Sequence, residues 1–283
     1  MHRGTVKKVG LIALLPVLIG GLGGCKDGKH YYSSGGQEVS NLGGDSHLSV
    51  WKPRVTPGAY SSSQQWYSAG TGDAKQTIEG GWQVYPIKYD VEDPILFTYF
   101  TPDNYASGCY NLECPGFVQI NSNWLLGGRI TPLSSVGGEQ RVFGMQWQLY
   151  EGNWWLFIKA EGDYEPVGYY PEAVFNSGAL TASAESITMG GETKGNPSSI
   201  LNPISKAGEM GSGKPASQGW RHAAYHRSIS YIDRQHTRQW ATLLTDQPYA
   251  ACYSIDLENN SSDVWGTYFY FGGAACEFSF WWY

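Results

Sequence analysis

Short hydrophobic and aromatic runs, each followed by turn-forming residues, dominate the pattern along this chain of 283 residues. The runs include WQVYPIKY, ILFTYF, GFVQI, RVFGMQWQLY, NWWLFIKA and WGTYFYFG, with clusters of Gly, Pro, Asn and Asp between them. Short strands separated by turns in this way are typical of a β-sandwich or barrel. No segment of convincing length has a helical period, and no repeat has a solenoid period. We therefore predict an all-β fold.

Composition supports this prediction and excludes one class of partner. The chain has 37 glycines, 12 tryptophans and 20 tyrosines but only 16% charged residues, which favours turn-rich strands with aromatic packing. Its length is sufficient to bury a large core. The formal net charge of -6 and the scarcity of basic runs argue against a nucleic-acid surface. We expect no nucleic-acid partner.

The N-terminus has the pattern of an export signal. Basic residues precede an apolar run over residues 9–24, which contains Pro16 and ends at Cys25. At 16 residues this run is shorter than the ~20 that a membrane-spanning helix needs. The residues LGGC resemble a bacterial lipobox, in which the cysteine is lipidated and becomes the mature N-terminus. We therefore predict a lipoprotein-type signal peptide over 1–25 and a protein anchored through Cys25 to a bacterial outer membrane or cell surface.

The rest of the chain divides into a polar segment and one domain. Residues 26–47 are rich in Gly, Ser and polar side chains, which predicts a flexible tether. Residues 48–283 contain all the strong strand patterns and are expected to form a single domain, which we expect to be monomeric. Four cysteines remain beyond Cys25, an even number suited to two disulfides in an oxidising compartment. Spacing alone leaves three connectivities open, and no paired CxxC motif favours zinc.

Two familiar motifs are present only in part. Residues 208–215, GEMGSGKP, imitate a P-loop, but Pro215 replaces the Ser or Thr that holds magnesium. His222 and His226 are four residues apart without an HExxH motif, so we expect surface histidines rather than metal ligands. Acidic side chains in turn-like contexts are expected to be solvated surface charges.

Glu79 and Glu192 stand out because each lies beside glycines within a strand pattern. In TIEGGWQVYP, residues 77–86, strand alternation puts Glu79 on the same face as Gln83 and opposite Trp82. Glycines beside a carboxylate allow a ligand to approach the backbone closely. Two such glutamates can divide acid and base roles, one ionised and taking a proton from water, the other protonated and hydrogen-bonding the carbonyl oxygen. The alternative is that each glutamate is an edge residue in a salt bridge.

The ordered blocks SVWKPRV, TIEGGWQVYP, LFTYFTPDNYASGCYNLECPGFVQ, GNWWLFI, VGYYPEAVF, MGGET, AAYHRSISYID, CYSI and WGTYFYFGGAA resemble the neprosin family of glutamic peptidases. The resemblance covers roughly residues 48–276. It implies a sandwich of two strongly curved antiparallel sheets with a concave active-site cleft. It also implies cleavage after proline in acid, without metal or cofactor, by Glu79 and Glu192. The disulfides it implies are Cys109 with Cys114 and Cys252 with Cys276.

The expected substrates are proline-containing proteins or peptides. Proline favours an extended conformation against which flat aromatic faces pack well. The candidate binding residues are Tyr85, Trp82 and Tyr225, with Gln83 as a candidate oxyanion donor. Two other functions stay open. A tryptophan-lined β-sandwich also suits a carbohydrate- or peptide-binding module without catalysis, and a glycosidase also needs two carboxylates.

Overall fold

Antiparallel strands form nearly all the regular structure in residues 29–195 and 207–275, which are the residues that the computed structural model describes. In chain order the strands are β1 (His30–Asn41), β2 (Gly43–Ser49), β3 (Tyr60–Ala69), β4 (Gln76–Val84), β5 (Ile95–Thr101), β6 (Cys109–Tyr110), β7 (Val118–Gln119), β8 (Val142–Tyr150), β9 (Asn153–Lys159), β10 (Glu165–Pro171), β11 (Ala184–Lys194), β12 (Ala224–Ile232), β13 (Arg238–Trp240), β14 (Leu244–Asp246), β15 (Ser254–Glu258) and β16 (Tyr268–Gly272). The helical elements are α1 (Pro86–Tyr89) and short 3-10 turns at Gly72–Ala74, Glu172–Phe175, Ala179–Thr181 and Ala216–Gln218. The predicted all-β fold is confirmed.

The strands form two sheets. Within the described ranges the front sheet has the order β14-β1-β11-β3-β4-β5-β6, and the back sheet has the order β15-β16-β12-β2-β8-β9-β10-β7, with β13 paired to β12. The sheets form a sandwich, but neither is closed or strongly curled, so the expectation of strongly curved sheets is corrected. No helix in the described part of the chain is long and apolar enough to cross a membrane.

Aromatic side chains fill the space between the sheets. Trp82 of β4, Trp147 of β8 and Trp154 of β9 are fully buried there. Core packing explains Gly80, the first of the two glycines after Glu79. A Cβ at this position would lie 3.0 Å from the Met145 sulfur and 3.2 Å from the Trp147 indole nitrogen. Burial of a large aromatic side chain stabilises the fold by several kcal/mol. The core therefore fixes β4 with Trp82 facing inward and Glu79 facing outward.

A polar cluster crosses the core beneath β3. The His226 ring lies between the Ser46 hydroxyl at 3.0 Å and the Ser63 hydroxyl at 2.9 Å, and Gln65 donates to Ser46 at 2.8 Å. Burial lowers the pKa of His226 to about 3, so the ring is neutral. The expectation that His226 lies on the surface is wrong, because serine hydroxyls satisfy both of its nitrogens inside the sandwich.

The prediction of a flexible tether over 26–47 is also wrong for residues 30–47, which run through strands β1 and β2. Strand β1 lies between β11 and β14 in the front sheet, and β2 lies between β12 and β8 in the back sheet. The Gly and Ser residues that indicated flexibility permit close packing instead, since a Cβ at Gly35 would lie 3.0 Å from Leu243. The fold therefore begins by His30, well before residue 48. The predicted signal over 1–25, with Cys25, lies outside the described residues.

Candidate active site

The two glutamates selected from the sequence lie on one face of the front sheet. Glu79 is in β4 and Glu192 is in β11, with β3 between these strands. Ser62 of β3 is the register partner of both Glu192 and Gln83, and Glu79 lies four residues before Gln83 on the same face. Since the opposite face of β4 carries Trp82 into the core, the glutamates face away from the back sheet.

Glycines separate the two carboxylates. Gly81 of β4 and Gly190 of β11 are the register partners of Gln64 on β3, in the row of residues between Glu79 and Glu192. A Cβ at Gly81 would lie 2.1 Å from the Ser63 carbonyl oxygen, and the same atom at Gly190 would lie 2.5 Å from that of Ser33. Neither position accepts a larger residue. On these three strands, Gln64 therefore provides the side chain between the carboxylates, which leaves room for an extended ligand.

Glu79 is buried and is held by three donors. Its Oε1 accepts hydrogen bonds from Thr77 at 2.9 Å and Tyr105 at 2.8 Å, and its Oε2 accepts one from Gln64 at 2.8 Å. Burial and the charge of Glu192 raise the pKa of Glu79 to about 7, although the three hydrogen bonds oppose the change. Glu79 is therefore protonated in acid and is suited to donate a proton.

Glu192 is equally buried but has different partners. Its Oε1 lies 2.5 Å from the Nδ1 atom of His30 and accepts a hydrogen bond of 2.5 Å from the Tyr60 hydroxyl. The His30 contact becomes an ion pair when the imidazole is protonated. The Tyr32 hydroxyl also hydrogen-bonds the Glu192 carboxylate, so three side chains hold this group. The His30 and Tyr60 contacts are both made to Oε1.

Tyrosine hydroxyls surround both carboxylates. Burial of the hydroxyls and the charges of Glu79 and Glu192 raise the pKa of Tyr32, Tyr105 and Tyr110. Each of these three hydroxyls is thus influenced by both glutamates, which indicates that the carboxylates share one aromatic enclosure. The Tyr105 residue as a whole is 51% exposed, so it is its hydroxyl end that reaches into the site. Tyr105 has a φ of 66° and is held by a hydrogen bond of 2.9 Å from its backbone nitrogen to the Thr101 hydroxyl. Its position on the loop before β6 is therefore well defined.

Gln83 and Tyr85 lie towards Glu192. Gln83 is buried in the register row of Glu192, on the far side of Ser62, and its amide donates to the Tyr89 hydroxyl at 2.6 Å. The half-exposed Tyr85 ring packs against Tyr60, with the ring centroids 5.2 Å apart. Because Tyr60 donates to Glu192, Tyr85 borders the site. Both residues stay candidates for oxyanion and substrate contacts.

Trp82 and Tyr225 are placed away from this site. Trp82 is fully buried between the sheets, where its indole donates to the Ser49 carbonyl at 2.9 Å. Tyr225 is in β12 of the back sheet, next to the inward-facing His226, so it faces the outer side of the sandwich. There its ring packs against that of Trp265, with the ring centroids 5.0 Å apart. Neither side chain reaches the face that carries the glutamates. Their prediction as substrate contacts is therefore wrong.

Sequence reasoning missed the side chains that hydrogen-bond the glutamates: His30, Tyr32, Tyr60, Gln64, Thr77 and Tyr105. His30 lies in the segment assigned as a tether. Tyr60 and Gln64 lie in YSSSQQWYSA, which is polar on both faces because its inward serines and glutamine join the buried polar cluster. The signal that could have found them is the spacing of two residues that puts Tyr60, Gln64 and Trp66 on one face of a strand.

The first predicted disulfide, Cys109 with Cys114, is present. It closes the turn between β6 and the segment that follows, next to the loop that carries Tyr105. Cys252 is also disulfide-bonded. Its expected partner, Cys276, lies outside the described residues.

Comparison with known proteins places the chain in a family. Two crystal structures of scytalido-glutamic peptidase, one with a peptide-based transition-state analogue and one with a transition-state analogue inhibitor, are similar to the chain. The first covers 88% of this chain and 98% of its own at 8% identity, with a TM-score of 0.40. The second covers 87% and 99% at 10% identity, with a TM-score of 0.45. A family model described as Neprosin matches residues 57–274. Because that match spans well over half of the 283 residues, the chain belongs to the Neprosin family, and this membership supports a peptidase hydrolase.

Proposed function

We propose that this protein is a glutamic endopeptidase that hydrolyses peptide bonds after proline in acid, with Glu79 as its acid and Glu192 as its base. Family membership supports peptide hydrolysis. One observation carries the assignment of roles: the glutamates share a face and an aromatic enclosure but differ in their partners. Glu79 has hydrogen-bond donors on both oxygens and a pKa of about 7, whereas Glu192 is held by a histidine and two tyrosines, with the His30 and Tyr60 contacts both on its Oε1.

With these roles, the two glutamates can hydrolyse a peptide bond and return to their starting protonation states. Glu192 takes a proton from water, the water oxygen bonds to the peptide carbonyl carbon, and Glu79 gives its proton to the carbonyl oxygen. The result is a neutral diol, with Glu192 protonated and Glu79 ionised. Glu192 then gives its proton to the peptide nitrogen as the carbon–nitrogen bond breaks. Glu79 recovers a proton from a diol hydroxyl, so both glutamates return to their starting states.

The proposed working range follows from the protonation state of Glu79. The acid must be protonated, and burial beside Glu192 keeps Glu79 in that form up to a pKa of about 7. Activity therefore falls as the pH rises through this value, because both carboxyls are then ionised. Acidic solution is the expected working condition.

The substrate is expected to lie across the strands, in the row that Gly81 and Gly190 leave open. Gln64 is directly in this row, and its amide is placed to stabilise the developing oxyanion together with Glu79. Tyr85 offers an aromatic face beside Glu192 for a proline ring, whose fixed φ reduces the ordering of the chain on binding. Support for the proline preference comes from the family resemblance and from this aromatic wall.

The test is digestion of a proline-rich protein by the purified chain at about pH 4, where a carboxylic acid of raised pKa is protonated. Cleavage should persist with EDTA and with inhibitors of serine and cysteine peptidases. Mass spectrometry of the new ends from a mixed peptide library should show proline before the cut. Random ends would reject the proline preference alone. Absence of cleavage throughout the acid range would reject the peptidase and favour a binding module.

We also propose export and lipid anchoring at Cys25, which rests on the LGGC sequence. His30 follows Cys25 by five positions, which is a reach of at most about 18 Å in an extended chain. An anchored protein would thus hold its front sheet near the membrane. Cys25→Ala should move the protein from the membrane fraction to the soluble fraction, and wild-type protein without lipid would reject the anchor.

A further inference from the structure

His30, the first residue of β1, contacts a catalytic candidate from outside the segment that the family model matches. That match begins at residue 57, and His30 lies 27 positions before it. Its Nδ1 atom is 2.5 Å from Oε1 of Glu192, which is within hydrogen-bond distance. The contact depends on the β1 segment, which pairs with β11 along most of its length. This chain therefore supplies a partner for Glu192 from its own N-terminal strand.

The strand and two tyrosines fix where the His30 ring lies. Tyr32 of β1 is the register partner of Glu192, so His30, two residues earlier, is on the same face and one row beyond. The Tyr60 hydroxyl is 3.3 Å from Nδ1 of His30, and the Tyr32 hydroxyl is 3.5 Å from the same atom. The His30 side chain is 37% exposed, so it remains accessible to small molecules in solution.

His30 and Tyr60 act on the same oxygen of Glu192, Oε1. The Tyr32 hydroxyl also hydrogen-bonds this carboxylate. A carboxylate held through one oxygen presents the other in a defined direction, and a displacement of about 1 Å in a catalytic group costs up to ~100-fold in rate. The charged and titratable groups that face His30 are Glu192 and Lys194 on β11, Tyr60 on β3 and Tyr32 on β1. Lys194 is the register partner of His30.

We propose that His30 is a positioning residue for the general base: it holds Glu192 through Oε1 and thereby directs Oε2 at the water that attacks the peptide bond. This inference rests on the proposed peptidase function. It assigns the β1 segment a role in catalysis in addition to its place in the sheet.

The test compares His30→Ala with His30→Asn. Asparagine places an amide where Nδ1 lies and keeps the hydrogen bond, whereas alanine removes it. His30→Ala should lower kcat about 10- to 100-fold with little change in KM, because the substrate does not touch His30. His30→Asn should retain a larger share of kcat. Added imidazole should restore part of the activity of His30→Ala, since the vacated site opens to solvent.

His222→Ala is the matched control, because His222 is a partly exposed histidine in the turn before β12. This variant should keep the kcat of the wild type and should not respond to imidazole. The inference is overturned if His30→Ala keeps its kcat, or if it loses activity that neither asparagine nor imidazole recovers. Wild-type protein that cleaves no peptide would instead reject the peptidase itself. If His30→Ala does not fold, His30→Asn alone decides. A kcat of His30→Asn below about one hundredth of the wild-type value would overturn the inference, because a loss of that size is what full misplacement of a catalytic group causes.

Discussion

Glu79 and Glu192 lie on the same face of one sheet, separated by strand β3 and offset by four residues along the strands. The intervening strand keeps the carboxyl groups from forming a shared hydrogen bond, yet the charge of Glu192 still raises the pKa of Glu79. Gly81 and Gly190 lie in the row between them, and neither position has space for a side chain. These two positions therefore leave the surface between the carboxylates open. This arrangement can hold a peptide bond between one acid and one base.

Stability should depend on pH through Glu79. Its folded pKa is about 7, above its ordinary value of 4.5, so its stabilising effect is complete below pH 4.5 and is lost as the pH rises through 7. The loss amounts to about 3 kcal/mol at ~1.4 kcal/mol per pKa unit. Urea unfolding at a series of pH values should show this decline in the wild type. Glu79→Gln cannot ionise and should lack it, and an equal decline in both proteins would contradict the buried position of Glu79.

Tyr105→Phe should move the alkaline limit of activity to higher pH. The Tyr105 hydroxyl donates to Glu79 and opposes the rise in its pKa, so its removal leaves Glu79 protonated over a wider range. The measurement is a pH profile of kcat for the variant and the wild type. Tyr99→Phe is the control, because the Tyr99 ring stacks on Tyr105 and no described hydrogen bond joins its hydroxyl to Glu79. A shift to lower pH in Tyr105→Phe would contradict the proton-donor role.

Gln64→Ala should slow turnover more than Gln83→Ala. Gln64 lies in the row between the carboxylates and donates to Glu79, whereas the Gln83 amide is engaged by Tyr89. Loss of an oxyanion donor lowers kcat by roughly 100- to 1000-fold. Steady-state kinetics on one proline-containing peptide measure both variants. A larger loss of kcat for Gln83→Ala would return the oxyanion role to Gln83.

Tyr85→Ala should change cleavage preference, whereas Trp82→Ala should change the stability of the fold. Tyr85 borders the site, so its loss should reduce the preference for proline and leave the fold intact. Trp82 lies in the core, so its loss should destabilise the protein by about 3–5 kcal/mol without changing cleavage preference in the folded fraction. Peptide-library mapping and thermal unfolding measure the two effects. Altered preference in Trp82→Ala alone would contradict the placement of these side chains.

Alternation within β4 was enough to predict from the sequence that Glu79 and Trp82 take opposite faces. The glycines beside Glu192 singled out that residue as well, but its pairing with Glu79, 113 positions away, came from the resemblance, because no local pattern shows that two distant strands meet. The β-sandwich was also predictable, since strong aromatic runs alternate with turns.

The N-terminal strand could not be predicted in this way. β1 consists mainly of Gly, Ser and other polar residues, with Tyr31 buried in the core, and its stability comes largely from pairing on both sides and from close backbone packing. His30 was therefore missed. Tyr225 was assigned to the site from a sequence block alone, and only the packing of His226 into the core shows that Tyr225 faces outward.

The most direct test of the two-glutamate assignment is the kcat of Glu79→Gln, Glu192→Gln and the double variant in acid. Each glutamine keeps the size of the side chain but can neither take a proton from water nor supply one, so each single variant should lose roughly 100- to 10,000-fold in kcat. Because the two groups act in one step, the double variant should lose far less than the product of the single losses. Near-UV circular dichroism confirms the fold of each. Near-normal turnover in either single variant would contradict the assignment.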